Sequence, residues 1–232
     1  MTEMKSGSSH PWEGDSDSMQ SSTRRVTFPA ANRGLQLTGV LHLPEGVSGP
    51  FPGAVVCHPH TLMGGNMGNG VVVSICLALT VAGWAALRFD FRGAGSSQGA
   101  FDDGVGERDD VEGAVDFLYV QTEIDPGELA VMGYSFGAGV ALHHAARDRR
   151  LNRMIGVALV QDHYADPFLD HVSRPKLFVA GDEDPWTPLE ALRAYVERLQ
   201  PPKQLHVVAG ADHSFSGHLS ELTSVIVEWL SP

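Results

Sequence analysis

Leu129 to Ala146 reads LAVMGYSFGAGVALHHAA, and the parsing of this stretch decides the fold. The apolar run Leu129-Ala130-Val131-Met132 predicts a buried strand, and the small, apolar residues from Ala138 to Ala146 predict a helix. Gly133-Tyr134-Ser135-Phe136-Gly137 has to make the turn between them. A Gly-x-Ser-x-Gly turn at a strand-to-helix junction is too tight for side chains at its glycines, and it pushes the serine hydroxyl into the open. A helix starting just after that serine aims free N–H groups and its positive dipole end at the hydroxyl. Ser135 is therefore the candidate nucleophile. In a chain with 26 glycines the pentapeptide by itself is a weak signal; its setting between strand and helix gives it weight.

Outward from this stretch, strands and helices alternate. Strands are expected near 53–58, 84–90, 129–134, 154–160, 176–181 and 204–209, and helices near 68–82, 105–121, 136–148, 188–199 and 216–230. That alternation predicts an α/β fold with a mostly parallel central sheet and helices on both faces. Upstream, Arg24 to Phe28 and Leu35 to Leu43 alternate apolar and polar residues around a turn at Ala31-Asn32-Arg33-Gly34, the pattern of an N-terminal antiparallel hairpin at the sheet edge. Residues 1–22 are rich in Ser, Gly and acidic side chains and are expected to form a disordered tail, leaving 23–232 as a single domain.

Composition narrows the function. The chain has 232 residues, 43% hydrophobic and 19% charged, as in ordinary globular proteins, with a net charge of −12. Such a balance argues against nucleic acid, whose phosphates need clustered Lys and Arg. The longest apolar run, Val71 to Leu87, is broken by Ser74, Thr80 and Gly83 and falls short of a bilayer span, and the N-terminus lacks a signal-peptide apolar region. No membrane role is expected. Cys57 and Cys76 both sit in apolar runs and read as reduced core thiols, which suits the cytoplasm.

In open parallel sheets, functional groups collect beyond the carboxyl ends of the strands. A serine hydroxyl needs a base to take its proton, and histidine titrates near neutrality. Of eleven histidines, His213 stands in the loop between the last expected strand and helix, whereas His206 lies in that strand and His218 in that helix. His213 is the candidate base. A carboxylate must hold its tautomer, and Gly181-Asp182-Glu183-Asp184-Pro185 offers three after the strand at 176–181. The developing oxyanion needs preorganised donors: the backbone N–H of Phe136, and a second from the loop His58-Pro59-His60-Thr61-Leu62-Met63. Pro59 has no N–H, so His60 is chosen, with Thr61 as the alternative. His58 and His60 could be read as metal ligands, but no carboxylate or cysteine at metal spacing accompanies them, so no metal is assigned. After the strand ending near 90, Asp90 and Arg92 are expected to pair with the backbone of a turn beside the site.

With these residues in place, the chain resembles the alpha/beta-hydrolase superfamily over about residues 23 to 230, because Ser135, Asp184 and His213 follow that superfamily's order of nucleophile, acid and base. The resemblance selects Asp184, with Asp182 the runner-up, since the acid usually stands a few residues past the strand end. CHPHTLMGGNMGNGVV (57–72) and RFDFRGAGSSQGAFDDGVGERDD (88–110) resemble a compact group of lidless bacterial serine hydrolases, except that Thr61 replaces the second proline of the group's His-Pro-His-Pro. Larger lipases carry a lid where this chain has only Gln161 to Pro175. An open site lined by Leu62, Met63, Tyr134, Trp186 and Phe215 is expected, with Tyr164 and Phe168 as further candidates. The resemblance implies a serine carboxylesterase acting on small ester or related acyl substrates without a cofactor. Alternatives are a thioesterase or small-peptide hydrolase with the same triad, a cofactor-free perhydrolase, and a non-catalytic binding protein on the same fold. No oligomeric state is implied.

Overall fold

The computed structural model describes residues 21–31 and 34–231. Eight strands form one sheet in the order β1-β2-β4-β3-β5-β6-β7-β8. These are β1 (Ser21–Pro29), β2 (Gln36–Pro44), β3 (Phe51–Cys57), β4 (Ala85–Phe89), β5 (Ile124–Tyr134), β6 (Leu151–Val157), β7 (Lys176–Gly181) and β8 (Lys203–Val208). β1 pairs with β2 and β2 with β4 in antiparallel register; every other neighbour is parallel. The expected hairpin, parallel sheet and lidless hydrolase architecture are all present. Most of the expected tail, and Asn32 and Arg33 of the expected turn, lie outside the described residues. Ser21 and Ser22 depart from the tail expectation: they extend β1, because β2 runs on to Pro44 and offers them backbone partners at Pro44 and Leu43.

Successive residues of the central strands feed opposite faces. In β3, Val55 packs into one core and Ala54 and Val56 into the other; in β5, Val131 faces the first and Ala130 and Met132 the second. Burial on both faces is why these strands read as unbroken apolar runs. Helices α1 (Gly70–Val81) and α5 (Leu219–Leu230) cover one face, through Val72, Ile75, Leu222 and Ile226. Helices α2 (Glu107–Tyr119), α3 (Phe136–Arg147) and α4 (Leu189–Arg198) cover the other, through Val111, Ala114, Val140 and Leu192.

Several boundaries differ from the expected ones, β5 starting at Ile124 and β6 at Leu151, and two others moved for local reasons. β6 ends at Val157, not near 160, because Ala158 takes φ +48° and turns the chain out of the sheet while its N–H donates to Val179 O at 2.8 Å. α5 starts at Leu219 rather than 216, after Phe215 (φ +53°) and Gly217 (φ +76°) have bent the preceding loop. Between β6 and β7 the chain makes only two single-turn 3-10 helices, Gln161–His163 and Pro167–Leu169, so among the described residues this connection puts no lid over the carboxyl ends of the strands.

Candidate active site

The turn after β5 is built by close backbone approach. A Cβ on Gly133 would lie 2.1 Å from the carbonyl oxygen of Gly137, and one on Gly137 would lie 2.3 Å from that of His58. Only glycine fits at either position, and the resulting turn holds Ser135 at φ +58°, ψ −122°, a conformation costly for a residue with a side chain. Ser135 N–H donates to Val157 O at 2.9 Å, which ties the turn to β6. α3 begins at the next residue and presents its N-terminal end to the Ser135 hydroxyl.

Two further loops converge on this serine. Nε2 of His213, from the loop after β8, lies 2.9 Å from Ser135 Oγ, and its Nδ1 lies 2.7 Å from Oδ2 of Asp184, from the loop after β7. Asp184 Oδ1 accepts the Trp186 N–H at 2.8 Å. Burial would raise the pKa of this carboxyl, but the hydrogen bonds from His213 and the Trp186 amide hold it below the ordinary carboxylate value, so it stays ionised beside the imidazole. Asp182, two residues earlier, is exposed and accepts the Gly210 N–H at 2.6 Å, bracing the loop that carries His213. The geometry thus brings together Ser135, His213 and Asp184, and leaves Asp182 outside the cluster.

The N–H groups of Phe136 and His60 have no acceptor among the described residues. The loop carrying His60 is pinned: its carbonyl accepts the N–H of Met63 and of Gly65, both at 3.0 Å, and its ring lies between Phe101 and Phe136 at 4.7 and 4.9 Å. Thr61 instead opens the 3-10 turn Thr61–Met63. His58 is a buried brace. Its Nδ1 donates to Pro59 O at 2.6 Å and its Nε2 accepts the Phe91 N–H at 3.0 Å, which leaves no lone pair for a metal. Among the described residues no group of three His, Cys, Asp or Glu side chains is arranged to hold a metal ion. Asp90 does bond a turn's backbone as expected, through the Met67 N–H at 2.8 Å. Arg92 does not: its guanidinium is buried against the Asp110 carboxylate at 2.7 Å, because a charge that deep requires an ionic partner.

Around Ser135 the surface forms a cleft of about 560 Å³, walled by Met63, Phe101, Val160, His163 and Trp186 among others. Of the expected lining residues, Met63, Tyr134 and Trp186 stand at this cleft, although the Tyr134 hydroxyl is spent on His213 O at 3.1 Å, so this side chain braces the base-bearing loop as much as it walls the cleft. Leu62 does not line it; the 3-10 turn points that side chain outward, 71% exposed. Phe215 is also corrected. Its left-handed backbone directs the ring into the core under the loop, at 0% exposure. Tyr164 is held in the core by its hydroxyl on Leu159 O at 2.7 Å, and Phe168 stacks on His143 at 3.6 Å, away from the cleft. Phe101, Val160 and His163 are walls of the cleft that the sequence does not single out: Phe101 lies within the 88–110 stretch without a role assigned to it, and Val160 and His163 stand in the connection after β6. The one local signal was Gly139, where a Cβ would lie 2.0 Å from His163 Nε2.

Comparison with known proteins agrees with this fold. A family model described as X-Pro dipeptidyl-peptidase (S15 family) matches residues 8–226. An uncharacterized protein of Rickettsia prowazekii is 34% identical over 188 residues, covering 77% of this chain and 78% of the relative. Among solved structures, a serine hydrolase without a lid from Xanthomonas campestris is 30% identical with a TM-score of 0.78, covering 90% of this chain and 93% of that one. An alpha-beta serine hydrolase homologue from Coxiella burnetii is 32% identical with a TM-score of 0.78, covering 90% and 97%. With the family model spanning most of its length and two serine hydrolases sharing its fold at 30% identity or more, this chain belongs to the X-Pro dipeptidyl-peptidase (S15) family of the alpha/beta hydrolases.

Proposed function

We propose that this hydrolase cleaves small carboxylic esters through an acyl-enzyme formed on Ser135. The observation that carries the proposal is the continuous hydrogen-bond line from Asp184 to His213 at 2.7 Å and from His213 to Ser135 at 2.9 Å. With Nδ1–H donated to the carboxylate, Nε2 is free to accept the serine proton. Ser135 Oγ attacks the acyl carbon as Nε2 takes its proton, and the amides of Phe136 and His60 hold the oxyanion. The intermediate collapses, His213 returns the proton to the departing alcohol, and water repeats the sequence to release the acid. Removing one oxyanion donor in such a site costs on the order of 3 kcal/mol of barrier.

The unroofed cleft supports a small or exposed acyl group. A second reading, hydrolysis of short peptides, is favoured by the description of the matching family. The same groups would serve a thioester, or peroxide in place of water, because a triad does not choose its leaving group. The net charge of −12 supports a small-molecule partner rather than nucleic acid, and the free, buried Cys57 and Cys76 support a reducing setting such as the cytoplasm. Among the described residues no helix is long and apolar enough to cross a membrane.

The test is a p-nitrophenyl ester series from acetate to decanoate, with glycyl-prolyl p-nitroanilide beside it, on wild type and Ser135→Ala. Ester turnover that favours short chains and vanishes in the variant is the expected result. Anilide cleavage without ester turnover would replace the esterase reading with the peptidase one. Turnover that survives Ser135→Ala would refute both.

A further inference from the structure

The end of α3 away from Ser135 borders a second cleft, of about 690 Å³. Arg108 of α2 lines it, together with Arg147, Arg149 and Arg150 at and beyond the end of α3. A chain with only 16 Lys and Arg residues against 28 Asp and Glu thus places four arginines around one cavity. Arg150 is neutralised there by Asp148 at 2.7 Å and by Asp116 at 2.6 Å. No ion pair is formed among the described residues by Arg108, Arg147 or Arg149.

Arg108 is the most exacting of the three. Its Nε is buried without a hydrogen-bond partner, a state that costs free energy unless something supplies an acceptor nearby. Burial first, and then the charge of Arg147, lower its pKa, while Asp166 acts in the opposite sense. That carboxylate is already engaged, with Oδ2 3.2 Å from Nε2 of His143. Arg108 also stands in the first turn of α2, so its charge adds to the positive end of that helix. The acids beside it in the sequence are committed, Glu107 to the amides of Asp102 and Gly104 and Asp110 to Arg92. Arg147, by contrast, closes α3 and is partly answered by that helix's negative end. His143 on the same wall adds no charge near neutrality, since burial and then Arg108 push its pKa down to about 4. Of the carboxylates in the cleft, Asp148 is held by Arg150 and by His144 at 3.1 Å, and Asp109 also has partners, which leaves Glu112 to oppose an incoming anion.

We propose that this cleft binds an oxyanion, the phosphate or carboxylate group of a small molecule, between the guanidinium groups of Arg108 and Arg147, with Arg149 at its outer edge. Guanidinium forks match both groups in a paired hydrogen-bond geometry, and an anion there would relieve the repulsion that Asp166 and the end of α3 offset only in part. Nothing in the proposal depends on the chemistry assigned to Ser135.

The experiment is isothermal titration calorimetry of the whole chain with inorganic phosphate and with citrate, at ionic strength held constant with sodium chloride. Wild type should bind at least one of the two saturably, and the tighter of them assigns phosphate or carboxylate as the group recognised. Arg108→Gln and Arg147→Gln should each weaken binding tenfold or more, Glu112→Gln should tighten it, and Arg193→Gln, outside the lining of the cleft and paired with Glu190, should leave it unchanged. If Arg108→Gln fails to fold, Arg147→Gln, exposed at a helix end, carries the test alone. Absence of saturable binding of either anion to wild type, or equal affinity in wild type and Arg147→Gln, would overturn the proposal.

Discussion

The serine turn and the rim of the cleft face the same space under opposite constraints. At the turn, backbone packs on backbone so closely that Gly133 and Gly137 have no room for a Cβ, and Ser135 is held in a left-handed conformation by what surrounds it. At the rim, Met63 and Trp186 are 73% and 57% exposed, with the Trp186 ring 6.4 Å from that of His213. The difference separates two jobs. The groups assigned to bond-making sit where the backbone leaves no alternative, whereas the side chains that would meet the variable part of a substrate sit where the fold tolerates exchange.

Substitutions can break or sharpen that contrast. The largest effect is expected at the carboxylates: Asp184→Asn should lower kcat on a p-nitrophenyl ester by roughly 10⁴-fold through loss of the correct histidine tautomer, while Asp182→Asn, which touches only the Gly210 amide, should change it less than about threefold, within the reach of one exposed hydrogen bond. Equal losses in the two variants would remove the distinction between them. Next in size is Gly137→Ala. The new methyl would meet the carbonyl oxygens of His58 and Cys57 at 2.3 and 2.8 Å, so thermal unfolding should show a loss of about 3 kcal/mol or more. An unshifted Tm would mean that the turn is looser than its geometry. The smallest effect belongs to the rim: Trp186→Ala should leave the Tm within about half a kcal/mol of wild type and change KM several-fold with little change in kcat. A large loss of kcat in that variant would place the Trp186 ring among the groups that set the position of His213, whose ring lies 6.4 Å away.

The same contrast explains what could be read from the chain. The central strands were legible because burial on both faces writes itself as apolar runs, as in Val55 to Cys57 and Leu129 to Met132. Ser135 and His213 could be singled out as candidates because each follows a strand end, where the fold's geometry collects functional groups, whereas only the resemblance separated Asp184 from Asp182. The early start of β6 was hidden by Asn152 and Arg153, polar residues in a strand whose side chains are satisfied by the carbonyls of Gly127 and Leu230, partners invisible in sequence. Leu62 and Phe215 were misassigned because apolar character says nothing of direction; a single positive φ at Phe215 sends its ring to the core. His163 and Phe101 were missed because they meet Ser135 only through the folding of distant loops, and a free glycine at 139 is a faint trace of that meeting.

The most direct measurement is labelling of the folded protein with a fluorophosphonate, followed by mass spectrometry of its peptides, for wild type, Ser135→Ala and His213→Ala. Because the reagent captures only a serine whose proton has a base to accept it, a single adduct on Ser135 in wild type is predicted, absent from the first variant and slowed by orders of magnitude in the second. An unlabelled wild type, or an adduct on another residue that persists in Ser135→Ala, would contradict the assignment of Ser135 and His213 as nucleophile and base.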